Sequence, residues 1–229
     1  MSTSDAAPVA LIVHAHPEPH SFSTAQMTTA AQALREAGYR VDVLDLYSEA
    51  WAPTLAREDF APVEGHFKPQ AEQMRAVREG TLDATVQAHL DRLLAADLLV
   101  LSFPMWWFSL PAILKGWVDR VFAMGAVFGG DYGLFRDAAL VGKRAMLLFT
   151  TGGPSEMFQP GVFGSMDDFL FHIRRGMLEF VGYQVLDPVI TYGPAHLTDR
   201  ERAAALETVR ESIALVAANH PRSRDASLA

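Results

Sequence analysis

The chain contains no cysteine. That excludes disulfides, thiolate nucleophiles and cysteine-held iron–sulfur clusters, and leaves any redox chemistry to an organic cofactor or to a metal with other ligands. Positive charge is also scarce: 19 Lys and Arg face 27 Asp and Glu, a formal net charge of −8. No basic run appears, so neither nucleic acid nor an anionic membrane surface is an expected partner, because phosphate binding needs cations gathered on one face. The opening MSTSDAAP has neither the basic patch nor the apolar run of a signal peptide, and a cytoplasmic protein is expected. Internal repeats and low-complexity tracts are missing too. What is present is ordinary globular composition, 229 residues at 50% hydrophobic and 20% charged. This suffices for one well-buried core and is short for two, so a single domain is expected over 1–229, with its core at about 9–218 and a loose tail at 219–229.

The longest apolar stretch, Leu98 to Val118, has 21 residues and one charge, Lys115. A membrane span is one reading, but Pro104 and Pro111 interrupt it. Before them, DLLVLSF is strand-length and apolar throughout, as a strand buried on both faces should be. After them, Ile113, Leu114, Trp117, Val118, Val121 and Phe122 recur on one helical face, with Ser109 available as a cap and Pro111 suited to a first turn. Trp106, Trp107 and Phe108 are thereby assigned to a strand-to-helix loop.

The same grammar recurs along the chain. Strands are expected at 9–15, 41–47, 97–103, 145–150 and 183–191. Helices are expected from about Ser23 to Gly38, then at 82–95, 111–123, 166–181 and from Thr198 to about 218, where Thr198 and Glu201 form a capping-box pattern. The segment 52–80 lacks clean periodicity and is expected as an irregular loop that embraces a neighbouring subunit. Five strands alternating with five helices imply an α/β three-layer sandwich with a five-stranded parallel sheet in the flavodoxin-like order 2-1-3-4-5.

Open parallel sheets bind ligands beyond the carboxyl ends of their strands, and three loops fall there. HAHPEPHSFST (14–24) opens a helix, whose free N–H groups favour a phosphate, assisted by Ser21, Ser23 and His16. PMWWF (104–108) supplies flat apolar rings, and TTGGPSEMF (150–158) lets backbone approach closely at Gly152 and Gly153. Together they suit a flat, phosphate-bearing cofactor, with flavin the natural candidate: rings wall the plate while main-chain N–H groups of the Trp-Trp-Phe loop and of the glycines face its polar edges. Each feature has a plainer reading. Adjacent tryptophans also serve as core or interface packing, His14, His16 and His20 read either as metal ligands or as ordinary hydrogen-bonded histidines, and Lys115 with Asp119 reads as a solvated ion pair. No further ligand cluster accompanies the histidines, so no metal site is assigned.

At this level of detail the sequence resembles the NAD(P)H:quinone oxidoreductases of the flavodoxin-like superfamily, the DT-diaphorase type, from about Val9 to Val216. The motifs are ALIVHAHPEPHSFS, DLYSEAWAPTLAREDF, VREG, AADLLVLSFPMWWFSLPAILKGWVDRVF, TTGG and GYQVLDPVITYG. The resemblance implies a homodimer with one FAD per subunit, FAD being preferred to FMN, and hydride passed from NADPH or NADH to a quinone. It implies that His16, Ser21, Phe22 and Ser23 hold the pyrophosphate and ribityl side. Pro104, Met105, Trp106, Trp107 and Phe108 would line the flavin, with Thr150, Thr151, Gly152 and Gly153 on the other edge. Asp119 and Arg202 would face the adenine half, and Lys68 the partner's cofactor. Trp107, Phe128, Phe158, Phe163 and Phe180 would form the acceptor pocket.

The departures are informative. Mammalian members carry a Tyr and a His where this chain has Phe158 and Phe163, and another Tyr where it has Phe128. Neither Phe158 nor Phe163 can donate a proton, so no side chain is expected as acid–base catalyst, and backbone donors are expected to carry the charge. Alternative readings of the resemblance are a regulatory flavoprotein docked on a potassium-efflux transporter, or an azo- or nitro-compound reductase.

Overall fold

The apolar runs become the sheet. In the computed structural model, which describes residues 6–60 and 62–219, they form β1 (Val9–His14), β2 (Arg40–Asp45), β3 (Leu98–Pro104) and β4 (Arg144–Thr151). With β5 (Gln184–Val185), the strand order is β2-β1-β3-β4-β5 with every pairing parallel, so the expected flavodoxin-like order holds. Residues 220–229 of the expected loose tail lie outside the described residues.

Alternation within the strands builds two cores. Leu99 and Leu101 of β3 and Leu147 and Phe149 of β4 face one side, and Leu98, Val100, Met146 and Leu148 face the other. The first side packs on α3 (Ala84–Ala95), α4 (Ala112–Val121) and α5 (Met166–Ile173), and the second on α1 (Phe22–Glu36) and α6 (Asp199–Ala218). Each leucine so buried contributes roughly 1.5–3 kcal/mol. The anticipated capping box opens α6: Thr198 Oγ1 accepts from the Glu201 N–H, and Glu201 accepts from the Thr198 N–H.

Two expectations are corrected. The strand expected over 183–191 is two, β5 (Gln184–Val185) and β6 (Val189–Tyr192), both parallel to β4. Pro188 has no N–H for the ladder, which accounts for the break. The segment 52–80 is not a continuous loop: it contains a helix, α2 (Pro69–Glu79), started by Pro69 and closed by left-handed Gly80. Only Gln73 and Ala76 of α2 are buried, so no apolar stripe marks it. Gln73 Nε2 ties it to α4, donating to the Asp119 carbonyl at 2.9 Å, and half-buried Val77 packs on the core.

The chain before α2 presses on α4. A Cβ at Gly116 would stand 2.1 Å from the Pro53 carbonyl oxygen, so only glycine permits this approach. Arg120, one turn on, donates to the Ala52 carbonyl at 2.6 Å and to Asp59 at 3.1 Å.

Candidate active site

The carboxyl ends of β1, β3 and β4 bring the three predicted loops together. At the end of β3, the Met105 N–H donates to the Thr150 carbonyl of β4 at 2.8 Å, and Pro104 and Met105 are buried. The chain then reverses: Trp106 and Ser109 exchange N–H···O bonds of 3.2 and 3.0 Å. Between them Trp107 has φ 51° and Phe108 φ 58°. Two successive left-handed residues make the mirror-image turn of tight hairpins, where Gly, Asn and Asp are usual. A bulky residue held there costs on the order of 1–3 kcal/mol.

Of the three amides expected to face a ligand, that of Trp106 is thus committed within the chain. Those of Trp107 and Phe108 have no partner among the described residues. Trp107 is 95% exposed. Phe108 instead folds back, stacking on Phe169 of α5 at 4.5 Å and meeting Phe163 edge-on at 5.5 Å. Phe158 joins this cluster, 6.4 Å from Phe108.

Beside it lies the TTGG turn. Thr150 and Ser23 hydroxyls bond each other at 2.9 Å, both buried, which ties β4 to the start of α1. Thr151 Oγ1 donates to the Gly153 carbonyl at 2.7 Å, and the Gly193 N–H donates to the Thr151 carbonyl at 3.1 Å. The amides of Gly152 and Gly153 are left without a partner among the described residues. A Cβ on Gly152 would meet nothing, whereas one on Gly153 would lie 2.7 Å from Met157 Sδ.

At α1, Ser21 is the N-cap and accepts from the Thr24 N–H at 3.1 Å. The Ser21 and Ser23 hydroxyls are therefore engaged within the protein, and the groups left for an anion are the Phe22 and Ser23 amides, where the helix dipole favours negative charge. They open on a groove of about 460 Å³ lined by His16, Ser21, Phe22, Thr150 and Arg202. His16 Nδ1 accepts from the Glu18 N–H at 3.0 Å. His14 is fully buried between Ser102 (3.0 Å) and Thr24 (3.1 Å), and burial lowers its pKa to about 4, so the ring is neutral at pH 7. Both of its ring nitrogens are thus hydrogen-bonded within the chain.

A second, larger groove of about 1160 Å³ is lined by Lys68, Asp119, Phe128, His172, Met177 and Phe180. Phe128 and Phe180 meet edge-on at 5.4 Å, and Asp119 pairs with Lys115 at 2.6 Å. The five residues expected in one acceptor pocket are accordingly not gathered within one chain: Phe158 and Phe163 stand against the Trp107–Phe108 turn, and Phe128 and Phe180 line the second groove. Asp119 and Arg202 likewise face different grooves.

Sequence reasoning missed Tyr192, which ends β6 opposite Thr151 and lies 5.6 Å from Phe158. Burial, with Asp167 adding to it, raises its pKa, so the phenol stays protonated. Its position at a strand's carboxyl end was the available signal. It also missed Ser109 and His172, whose Oγ and Nε2 are hydrogen-bonded at 3.0 Å.

A family profile described as a flavodoxin-like fold matches residues 9–213. The chain belongs to this flavodoxin-like family. Among its relatives, the rat protein named NAD(P)H dehydrogenase [quinone] 1 is 38% identical over 203 residues, covering 86% of this chain and 73% of that one. The rat ribosyldihydronicotinamide dehydrogenase [quinone] is 36% identical over 200 residues, covering 86% of each. Among solved structures, a Klebsiella pneumoniae protein assigned as a quinone reductase superposes with a TM-score of 0.84 at 36% identity, covering 91% of this chain and 85% of that one. The NAD(P)H:quinone oxidoreductase of Methanothermobacter marburgensis gives 0.73 at 26% identity, covering 92% and 96%. Among the described residues, no helix of this flavodoxin-like chain is long and apolar enough to cross a membrane.

Proposed function

We propose that the protein is a flavin-dependent reductase that passes two electrons from NADH or NADPH to quinones or similar flat acceptors. The observation that carries this reading is the set of four unpartnered amides, Trp107, Phe108, Gly152 and Gly153, at the carboxyl ends of two adjacent strands. An isoalloxazine is an apolar plate with polar edges, and such a site fits it. The Trp107 and Phe108 amides would take the N5 and O4 edge, and those of Gly152 and Gly153 the N1 and O2 edge. The names of the rat relatives, both quinone dehydrogenases, support the acceptor class.

A bound flavin supplies hydride transfer between the nicotinamide and the acceptor. The chain's own contribution is placement and charge. Phe22 and Ser23 amides with Arg202 would hold phosphates, and the groove running from α1 to Arg202 has room beyond a single phosphate, which favours FAD over FMN. Phe158 and Phe163 exclude water and offer no proton, so main-chain donors carry the negative charge that gathers at the N1 and O2 edge. Each such donor is worth roughly 1–4 kcal/mol at a transition state. The exposed Trp107 ring and the two half-sites facing different grooves support a homodimer, in which a second chain brings Phe128, Phe180, Asp119 and Lys68 to the first chain's turn.

Denaturing the purified protein and weighing the released cofactor tests the reading. One FAD per chain, with NAD(P)H oxidation that depends on added quinone, is expected. A colourless protein that takes up neither FAD nor FMN would refute it.

A further inference from the structure

We propose that Ser109 and His172 form a latch that sets the direction of the Trp107 and Phe108 amides, making both of them positioning residues for the flavin site. The inference rests on the flavin reading above, and it concerns two residues to which that reading gives no role.

The turn needs holding. Both of its central residues are in the left-handed region without being glycine, and such conformations persist only where the surroundings over-determine them. The two backbone bonds between Trp106 and Ser109 close the turn but do not orient it relative to the sheet. Trp107, almost wholly in solvent, fixes nothing. Trp106 stands 6.3 Å from His16, and the two other side chains of the turn that meet the body of the protein both reach α5. Phe108 stacks on Phe169, and Ser109 Oγ meets His172 Nε2.

Phe169 and His172 are three residues apart, so they occupy one face of α5. The ring stack fixes the turn's distance from the helix but tolerates sliding, because stacking is weakly directional. The hydrogen bond, directional and 3.0 Å long, removes that freedom. The amides that would receive the polar edge of the ring therefore inherit their aim from a helix outside the three ligand loops. A small rotation of the turn would keep the fold intact and spoil the amide geometry.

Four variants test the latch: Ser109→Ala, His172→Phe, the double variant, and Ser109→Thr, which keeps the hydroxyl. The first readout is flavin affinity of the apoprotein at fixed pH, with the reduction potential of the bound flavin alongside. Losing one directional hydrogen bond predicts affinity weakened roughly 3- to 10-fold in each single variant, a shifted potential, a double variant no worse than the weaker single, and recovery in Ser109→Thr. The second readout needs no flavin: chymotrypsin cleavage after Trp107 and Phe108 in the apoprotein, expected to be several-fold faster without the latch. Unchanged affinity and potential, additive losses in the double variant, or unchanged cleavage would overturn the inference. A wild-type chain that binds no flavin fails the functional reading instead, and the cleavage rates then decide the latch separately.

Discussion

At the scale of single residues, the proposed function rests on backbone groups that side chains hold in place. Trp107 and Phe108 occupy angles that turn rules reserve for small residues. The sequence therefore marks their loop and not their turn, and which two of the three amides are free was not legible. The rings were legible, because two prolines and an interrupted apolar run leave them no strand or helix to join. Phe158 stands where a hydroxyl would face the site, with Phe108 and Tyr192 as ring neighbours. Phe158→Tyr is expected to leave flavin binding nearly unchanged and to speed flavin reduction in stopped-flow measurements; an unaltered or slower rate would count against the account of the donors. His14 gives a prediction on stability. Its native pKa of about 4 lies below the ordinary 6.5, so between these values the unfolded chain binds a proton that the native chain refuses. Stability is therefore lost as pH falls from 6.5 towards 4, by about 2 kcal/mol between pH 7 and pH 5. Buried His89 is shifted in the same direction, desolvation outweighing its bond to Glu49. Urea unfolding of His14→Gln is expected to show a shallower pH dependence than the wild type.

At the scale of elements, buried parallel strands were readable as apolar runs, helices α1 and α4 as periodic faces and α6 by its capping box, whereas the cap expected of Ser109 is absent: α4 starts after Pro111 with no side-chain cap, and Ser109 bonds His172 instead. Helix α2 was not readable, since its two buried positions are Gln73 and Ala76 and its hold on α4 is a hydrogen bond. The split of the last strand was foreshadowed by Pro188 alone, which two paired residues before it and four after it obscure. The close approach of the Pro53 segment to α4 was likewise invisible until the glycine was seen in place. Gly116→Ala forces a methyl group against a main-chain carbonyl, which has no flexible end to yield. A loss of about 3 kcal/mol is expected in denaturant unfolding, with α4 and its neighbour displaced. A variant as stable as the wild type would mean that the segment does not press on the helix.

At the scale of the whole molecule, the alternation of strands and helices made the layers and the strand order legible, because right-handed crossovers leave few arrangements. The site was legible only in part. Its three loops converge as the carboxyl-end rule requires, but Phe128, Phe180, Asp119 and Lys68 face a separate groove of the same chain. Sequence carries no distance between residues, so it grouped Phe128 and Phe180 with Phe158 and Phe163, and Asp119 with Arg202; only Lys68 was assigned to a partner's site. A homodimer reconciles the two groups, and sedimentation at micromolar concentration is expected to return twice the chain mass of 25.1 kDa; the mass of one chain would remove the second half of the site. The central claim is that unpartnered amides at the ends of β3 and β4 receive the polar edges of a flavin, and a crystal structure of the protein with FAD tests it most directly. The account predicts the ring between the two turns, with the Trp107 and Phe108 amides on one edge and the Gly152 and Gly153 amides on the other. A ring bound elsewhere, or those amides turned inward to partners of the protein's own, would contradict it.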